Sequence, residues 1–252
     1  MALITKGLVQ SADVSSSFVA GQHFLTYEVK ASMQGATGSY TIPILHKGRL
    51  LGLLASYSSK DQIVDVIAPE IVSAFIADAK DGDYQGFPSL GIAVTNTSDK
   101  HFRNWLKLPS DSGGLFITRV QDHSAADKAD IKKGDVLLSI NGNTIDRRGY
   151  YKAEGFGPIY WSHLIRGTHV TGSEVTLDLL RDGKQIKRTA TLGRSPQGII
   201  PAHTYGKAPR YLVKGGFVFQ ELSKTYLQAF GEVWASRAPL NLLDALNHPS
   251  EY

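Results

Sequence analysis

The 252-residue chain carries 27 Lys and Arg against 23 Asp and Glu, a formal net charge of +4, with 42% hydrophobic and 20% charged residues. This is ordinary globular composition with room for one large domain or two modest ones, and so mild a charge gives no reason to expect nucleic acid as a partner. Cysteine is absent, which excludes disulfides, thiolate metal sites and a thiol nucleophile; no apolar run reaches the ~20 residues of a membrane span, and the opening MALITKGLVQ lacks the basic-then-apolar order of a signal peptide.

Residues 5–10, 24–29, 40–45 and 50–55 read as short strands separated by Ser, Gly and Lys clusters, so the first region is expected to be all-β. In the segment 63–78, apolar Val64, Ile67, Ile71, Val72, Phe75 and Ile76 fall near helical spacing, and Pro69 suits the first turn of a helix. The charged, non-periodic stretch Lys80, Asp81, Gly82, Asp83, Tyr84, Gln85, Gly86 reads as a linker and as the main boundary.

Beyond it, Pro88, Ser89, Leu90, Gly91 and Ile92 lead into an extended run to Thr95, then a helix over 99–106 and a strand over 115–120. Ser124 is placed to cap a short helix of small residues, Gly134 and Asp135 turn the chain, and 136–140 is a buried strand closed by the Asn141-Gly142 hairpin signal. Residues 157–166 read as a helix with Pro158 in its first turn, and 174–181 pairs through Asp182-Gly183 with 185–192. The basic and aromatic residues Arg147, Arg148, Tyr150, Tyr151 and Lys152 are read as a solvated loop. The stretch 146–157 that holds them is long for its place and could fold over a neighbouring groove or contact another domain.

The order SLGI, helix, GGLFITRV, SAADKADIKKGDVLLSINGNTI and EVTLDLLRDGKQIKRTATL resembles the PDZ domain of HtrA/Deg serine proteases, and FIADAKDGDYQGFPSLGI is similar to the run into that domain in the plant-type Deg branch. The resemblance implies a mainly β fold with short helices: a partial chymotrypsin-like β-barrel remnant plus helix over 1–79, a linker over 80–86, one complete PDZ domain over 87–196, and the start of a second, incomplete PDZ-like domain over 197–252. The last is carried by Ile200, Pro201, Ala202, His203 and the strand from Gly215, Gly216, Phe217, Val218 and Phe219, and Leu240, Leu242, Leu243 and Leu246 give it apolar faces that need partners.

In active members of the family, the stretch matching ITKGLVQSADV and YEVKASMQGATGSYTIPILHKGRLLGLLASY carries a G-N-S-G-G-P-like loop with the nucleophile and oxyanion donors. Anchored on Pro43, this sequence puts Tyr40 in the nucleophile's place and Thr41 and Ile42 where two glycines belong; anchored on Ala31, it puts Gly38 there. Neither register supplies the serine, and Thr37, Ser39 and Thr41 read as turn hydroxyls. His23 and His46 have no evident carboxylate to orient them. No catalytic residue, metal ligand or cofactor is assigned, and the chain is expected to be inactive as it stands.

The resemblance also implies capture of peptide or protein C-termini by strand addition. Leu90, Gly91 and Ile92 would turn backbone N–H groups to the terminal carboxylate, Ile92, Ala93 and Val94 would receive the ligand strand, and Tyr160, His163 and Leu164 would line the opposite wall. Leu90 and Ile92 predict an apolar last residue. The family implies a homo-oligomer as a further option and a periplasmic or secreted location; membrane is not among the expected partners. The readings left open are the C-terminal part of an active endopeptidase and an oligomerisation scaffold.

Overall fold

The computed structural model describes residues 6–16, 23–33, 42–80, 82–109, 112–167, 169–194, 200, 208–231 and 233–247. Thr37, Gly38, Ser39, Tyr40 and Thr41 lie outside these, as do Pro201, Ala202 and His203.

The N-terminal strands β1 (Leu8–Ser16), β2 (His23–Lys30), β3 (Pro43–His46), β4 (Arg49–Ser58) and β5 (Ile63–Ile67) form one antiparallel sheet in the order β1-β2-β5-β4-β3. Among the described residues β1 and β3 each pair on one side only, so the expected barrel remnant is an open sheet, not a closed barrel. Phe24, Leu25, Tyr27, Val29, Leu54, Val64 and Val66 supply its buried face. Residues 63–67 depart from the helical reading. Val64 and Val66 are buried while their neighbours are not, which is the two-residue period of a strand, and the helix α1 (Pro69–Ala79) starts only at Pro69, whose missing N–H costs nothing in a first turn.

The next stretch runs β6 (Pro88–Ser89), β7 (Ile92–Thr95), α2 (Lys100–Trp105), β8 (Leu115–Val120), α3 (Ala125–Lys128), β9 (Val136–Ile140), β10 (Asn143–Thr144), β11 (Tyr150–Ala153), β12 (Gly157–Tyr160), α4 (His163–Arg166), β13 (Glu174–Arg181), β14 (Lys184–Thr191) and β15 (Gly193–Arg194). Its main sheet has the order β14-β13-β9-β8-β7, with β10 hairpinned onto β9. Local chemistry explains the joints. Asp99 accepts from the Phe102 N–H at 2.7 Å and Ser124 from the Asp127 N–H at 3.2 Å, capping α2 and α3. Asn141 (φ 48°) with Gly142 (φ 78°) and Asp182 (φ 51°) with Gly183 (φ 77°) take the left-handed pair that closes two-residue hairpins.

Asp135 fastens the sheet from within. It is 1% exposed and forms a two-pronged bond with Arg181, Nε to Oδ1 at 2.7 Å and Nη2 to Oδ2 at 2.9 Å, while Oδ2 also accepts from the Lys132 N–H at 2.8 Å. Two prongs plus a backbone donor satisfy the carboxylate, the condition under which a buried charge is tolerated.

The stretch expected to be a free linker is packed. Asp78 Oδ2 accepts from the Gly86 N–H at 2.7 Å, Phe75 meets Tyr84 edge-on at 5.3 Å, and Phe24 of β2 meets Phe87 at 4.5 Å. The first compact unit therefore runs through to Ser195, and the chain's main division falls there, not at 80–86.

The second unit, Pro196–Tyr252, holds the hairpin β16 (Tyr211–Lys214) and β17 (Phe217–Gln220), then α5 (Lys224–Gln228), α6 (Trp234–Arg237) and α7 (Leu240–Asn247). Leu227, Ala238 and Leu243 make its small core, with Leu242 packed against it and Leu240 exposed. Both hairpin strands are exposed along their whole length, Phe217 and Val218 included.

Candidate peptide-binding groove

The site begins with a backbone requirement. Gly91 has φ +75°, and a Cβ there would lie 2.3 Å from the Ser124 Cβ, so only glycine fits both the conformation and the space. Two bonds hold this turn: the Leu90 carbonyl accepts from the Ala126 N–H at 2.9 Å and the Gly91 carbonyl from the Gln121 N–H at 2.8 Å. Both carbonyls are thereby drawn toward α3 and the chain leading to it. The Gly91 N–H donates to the Ser89 hydroxyl at 3.1 Å. The chain then enters β7, which pairs with β8 on one side and is the last strand of its sheet among the described residues.

Beside that edge lies a cavity of ≈ 230 Å³. One wall is Ser89, Leu90, Gly91 and Ile92; the other is Tyr160, Trp161, Ser162, Ile165 and Arg166, with His23 of β2 at the margin. Leu90, Gly91, Ile92 and Tyr160 of the sequence-read set are thus brought together. Ala93 and Val94 continue β7 but do not line the cavity.

His163 and Leu164 are placed otherwise. Neither lines the cavity; from this stretch the lining residues are Ser162, Ile165 and Arg166, an i, i+3, i+4 set on one helical face. The correction follows from where the helix begins. Gly157 has φ +84° and opens a strand in which Pro158 pairs with Lys152 and Tyr160 with Tyr150, so the expected ten-residue helix shrinks to one turn, α4, with a different face inward. Trp161, Ser162, Ile165, Arg166 and His23 had no motif to announce them; the helical spacing of Ser162, Ile165 and Arg166 was the available signal, obscured by the wrong helix start.

The hairpin β11–β12 supports this wall. Tyr151 is buried with its hydroxyl 2.5 Å from His163 Nδ1, and Tyr150 meets Tyr160 edge-on at 5.7 Å. Burial pushes the His163 imidazole below its ordinary value, opposed by the nearby Glu70 carboxylate, and burial pushes the Tyr151 phenol up. Gly167 follows the helix at a point where only glycine has room, because a Cβ there would lie 2.3 Å from the His163 ring. Phe156 at the hairpin tip stacks on Tyr27 at 6.2 Å, so the long stretch contacts the N-terminal sheet instead of closing over the groove.

Chemically, a lining of mixed polar and apolar residues with an open strand edge and one cation can take a chain end: the edge offers main-chain hydrogen bonds, and Leu90, Ile92 and Ile165 offer an apolar seat.

Comparison with known proteins agrees with this geometry. PDZ-domain family models match residues 88–192 and, separately, 200–251. Among curated relatives, Protease Do-like 2, chloroplastic, of Arabidopsis thaliana is 27% identical over 89% of this chain and 37% of its own length, and Protease Do-like 4, mitochondrial, of the same plant is 26% identical over 90% and 43%. The periplasmic serine endoprotease DegP of Escherichia coli (strain K12) is 39% identical over 34% of the chain and 16% of its own length. The chain spans less than half the length of these relatives. A structure of the HtrA-type protease AlgW with decapeptide shares the fold over 76% of this chain and 56% of its own, with a TM-score of 0.53 at 18% identity. With two PDZ matches, Do-like and DegP relatives and an HtrA-type fold converging on it, the chain belongs to the HtrA/Deg-type family of PDZ-containing proteins.

Proposed function

We propose that this chain binds peptide or protein C-termini, the ligand adding as a strand to β7 and seating an apolar last residue between Leu90, Ile92 and Ile165. The observation that carries the reading is the cavity flanked on one side by the end strand of the sheet and on the other by Tyr160, Ile165 and Arg166. An N-terminally labelled octapeptide ending Ala-Leu-Val should bind the full chain in an anisotropy titration, and Ile92→Asp, at a half-buried position on the cavity wall, should weaken it at least tenfold while the circular dichroism stays unchanged. Equal affinity in the variant would contradict the assignment.

The role is substrate recognition or regulation, without catalysis by this chain, because the residues aligned with the protease nucleophile loop supply Tyr40 or Gly38 and not serine. A second reading, an active endopeptidase of which this is the C-terminal part, is favoured by the protease names of the relatives. Casein cleavage by the natural full-length protein, abolished in Ser39→Ala, would support the second reading over the first. A periplasmic or secreted location follows the DegP resemblance, against the chloroplast and mitochondrion named for the plant relatives.

A further inference from the structure

We infer that the Arg166 guanidinium is the charge partner of the bound peptide's terminal carboxylate, so that the wall opposite the glycine turn, and not the turn alone, reads the chain end. The inference rests on the peptide-binding reading above and assigns a specificity residue within that site.

Arg166 is half-buried at the cavity wall, and its one hydrogen bond among the described residues is a marginal 3.4 Å contact from Nη1 to the His23 carbonyl. No ion pair to it occurs among the described residues. Burial lowers its affinity for a proton, with no carboxylate nearby to offset the loss of water. A guanidinium removed from water without an anion is costly, whereas one that meets a ligand carboxylate gains a forked, charge-assisted bond.

Two neighbours point the same way. Trp161 Nε1 and Ser162 Oγ are buried without a hydrogen-bond partner among the described residues, and both residues line the same cavity. Buried orphan donors are rare in a folded chain, and here they flank a lone cation. Across the cavity, the Gly91 N–H is already taken by the Ser89 hydroxyl. The turn therefore offers a carboxylate less than a full set of free donors, and the cavity's one permanently charged lining side chain is Arg166.

The test is a two-by-two titration of the full chain and Arg166→Gln with the labelled octapeptide ending Ala-Leu-Val, as free acid and as C-terminal amide. The wild type should prefer the acid by about tenfold or more, and Arg166→Gln should lose most of that preference. Arg166→Lys should restore part of it, and matching melting curves guard against misfolding. An unchanged acid preference in Arg166→Gln overturns this inference and leaves the groove standing. A wild type that binds both forms alike, or neither, overturns the carboxylate-reading groove itself. If loss of affinity in Arg166→Gln follows only a glutamate placed before the last residue, the arginine reads an acidic side chain and the inference fails.

Discussion

Gly91 and Asp135 show how single residues commit this fold to a groove. At Gly91 any side chain meets Ser124 and a left-handed backbone at once, so Gly91→Ala should cost ~1–3 kcal/mol of stability in urea unfolding as well as ligand affinity. Asp135 is buried against Arg181, and Asp135→Ala leaves the guanidinium without its two-pronged partner and the Lys132 N–H without its acceptor. A loss of ~3 kcal/mol is expected, measured by the same unfolding. Glycine-aspartate at 134–135 was legible as a turn; its ion pair was not, because Arg181 lies 46 positions further along the chain. The groove-facing residues were legible in part. The SLGI run gave Leu90, Gly91 and Ile92, whereas Ile165 and Arg166 depend on a rotation of ~100° per residue about a helix whose start could not be fixed without a capping signal.

At the scale of elements, hairpins with left-handed dipeptides and the helix capped by Ser124 were readable because their chemistry is local, as at Asn141-Gly142 and Asp182-Gly183, whereas Asp99 was read as the start of its helix and not as its cap. The β11–β12 hairpin was not. Its turn, Glu154-Gly155-Phe156, lacks such a dipeptide, and Pro158 imitates a helix start. This hairpin and α4 share the buried Tyr151–His163 contact, which gives the groove wall a dependence on pH. His163 is depressed by burial, so between its folded and unfolded values the unfolded chain binds more protons. Stability contributed by the neutral ring is present above the unfolded value and is lost as pH falls through it toward the folded value. The urea midpoint should therefore drop from pH 7 to pH 5 by more in the wild type than in His163→Gln; equal drops would remove His163 from the account.

For the molecule as a whole, every groove residue lies in the compact unit ending at Ser195. A chain of residues 1–195 should fold cooperatively and bind the octapeptide within about twofold of the full chain. The sequence-read boundary at 80–86 missed this because a charged, glycine-bearing stretch looks like a linker whether or not Phe24 packs on Phe87 and Asp78 holds the Gly86 N–H. The central claim is that β7 receives the ligand as a new strand, and amide hydrogen exchange across residues 90–95 with and without saturating octapeptide tests it most directly. The account predicts slower exchange in that segment on binding; unchanged exchange there, with protection appearing elsewhere, would contradict it.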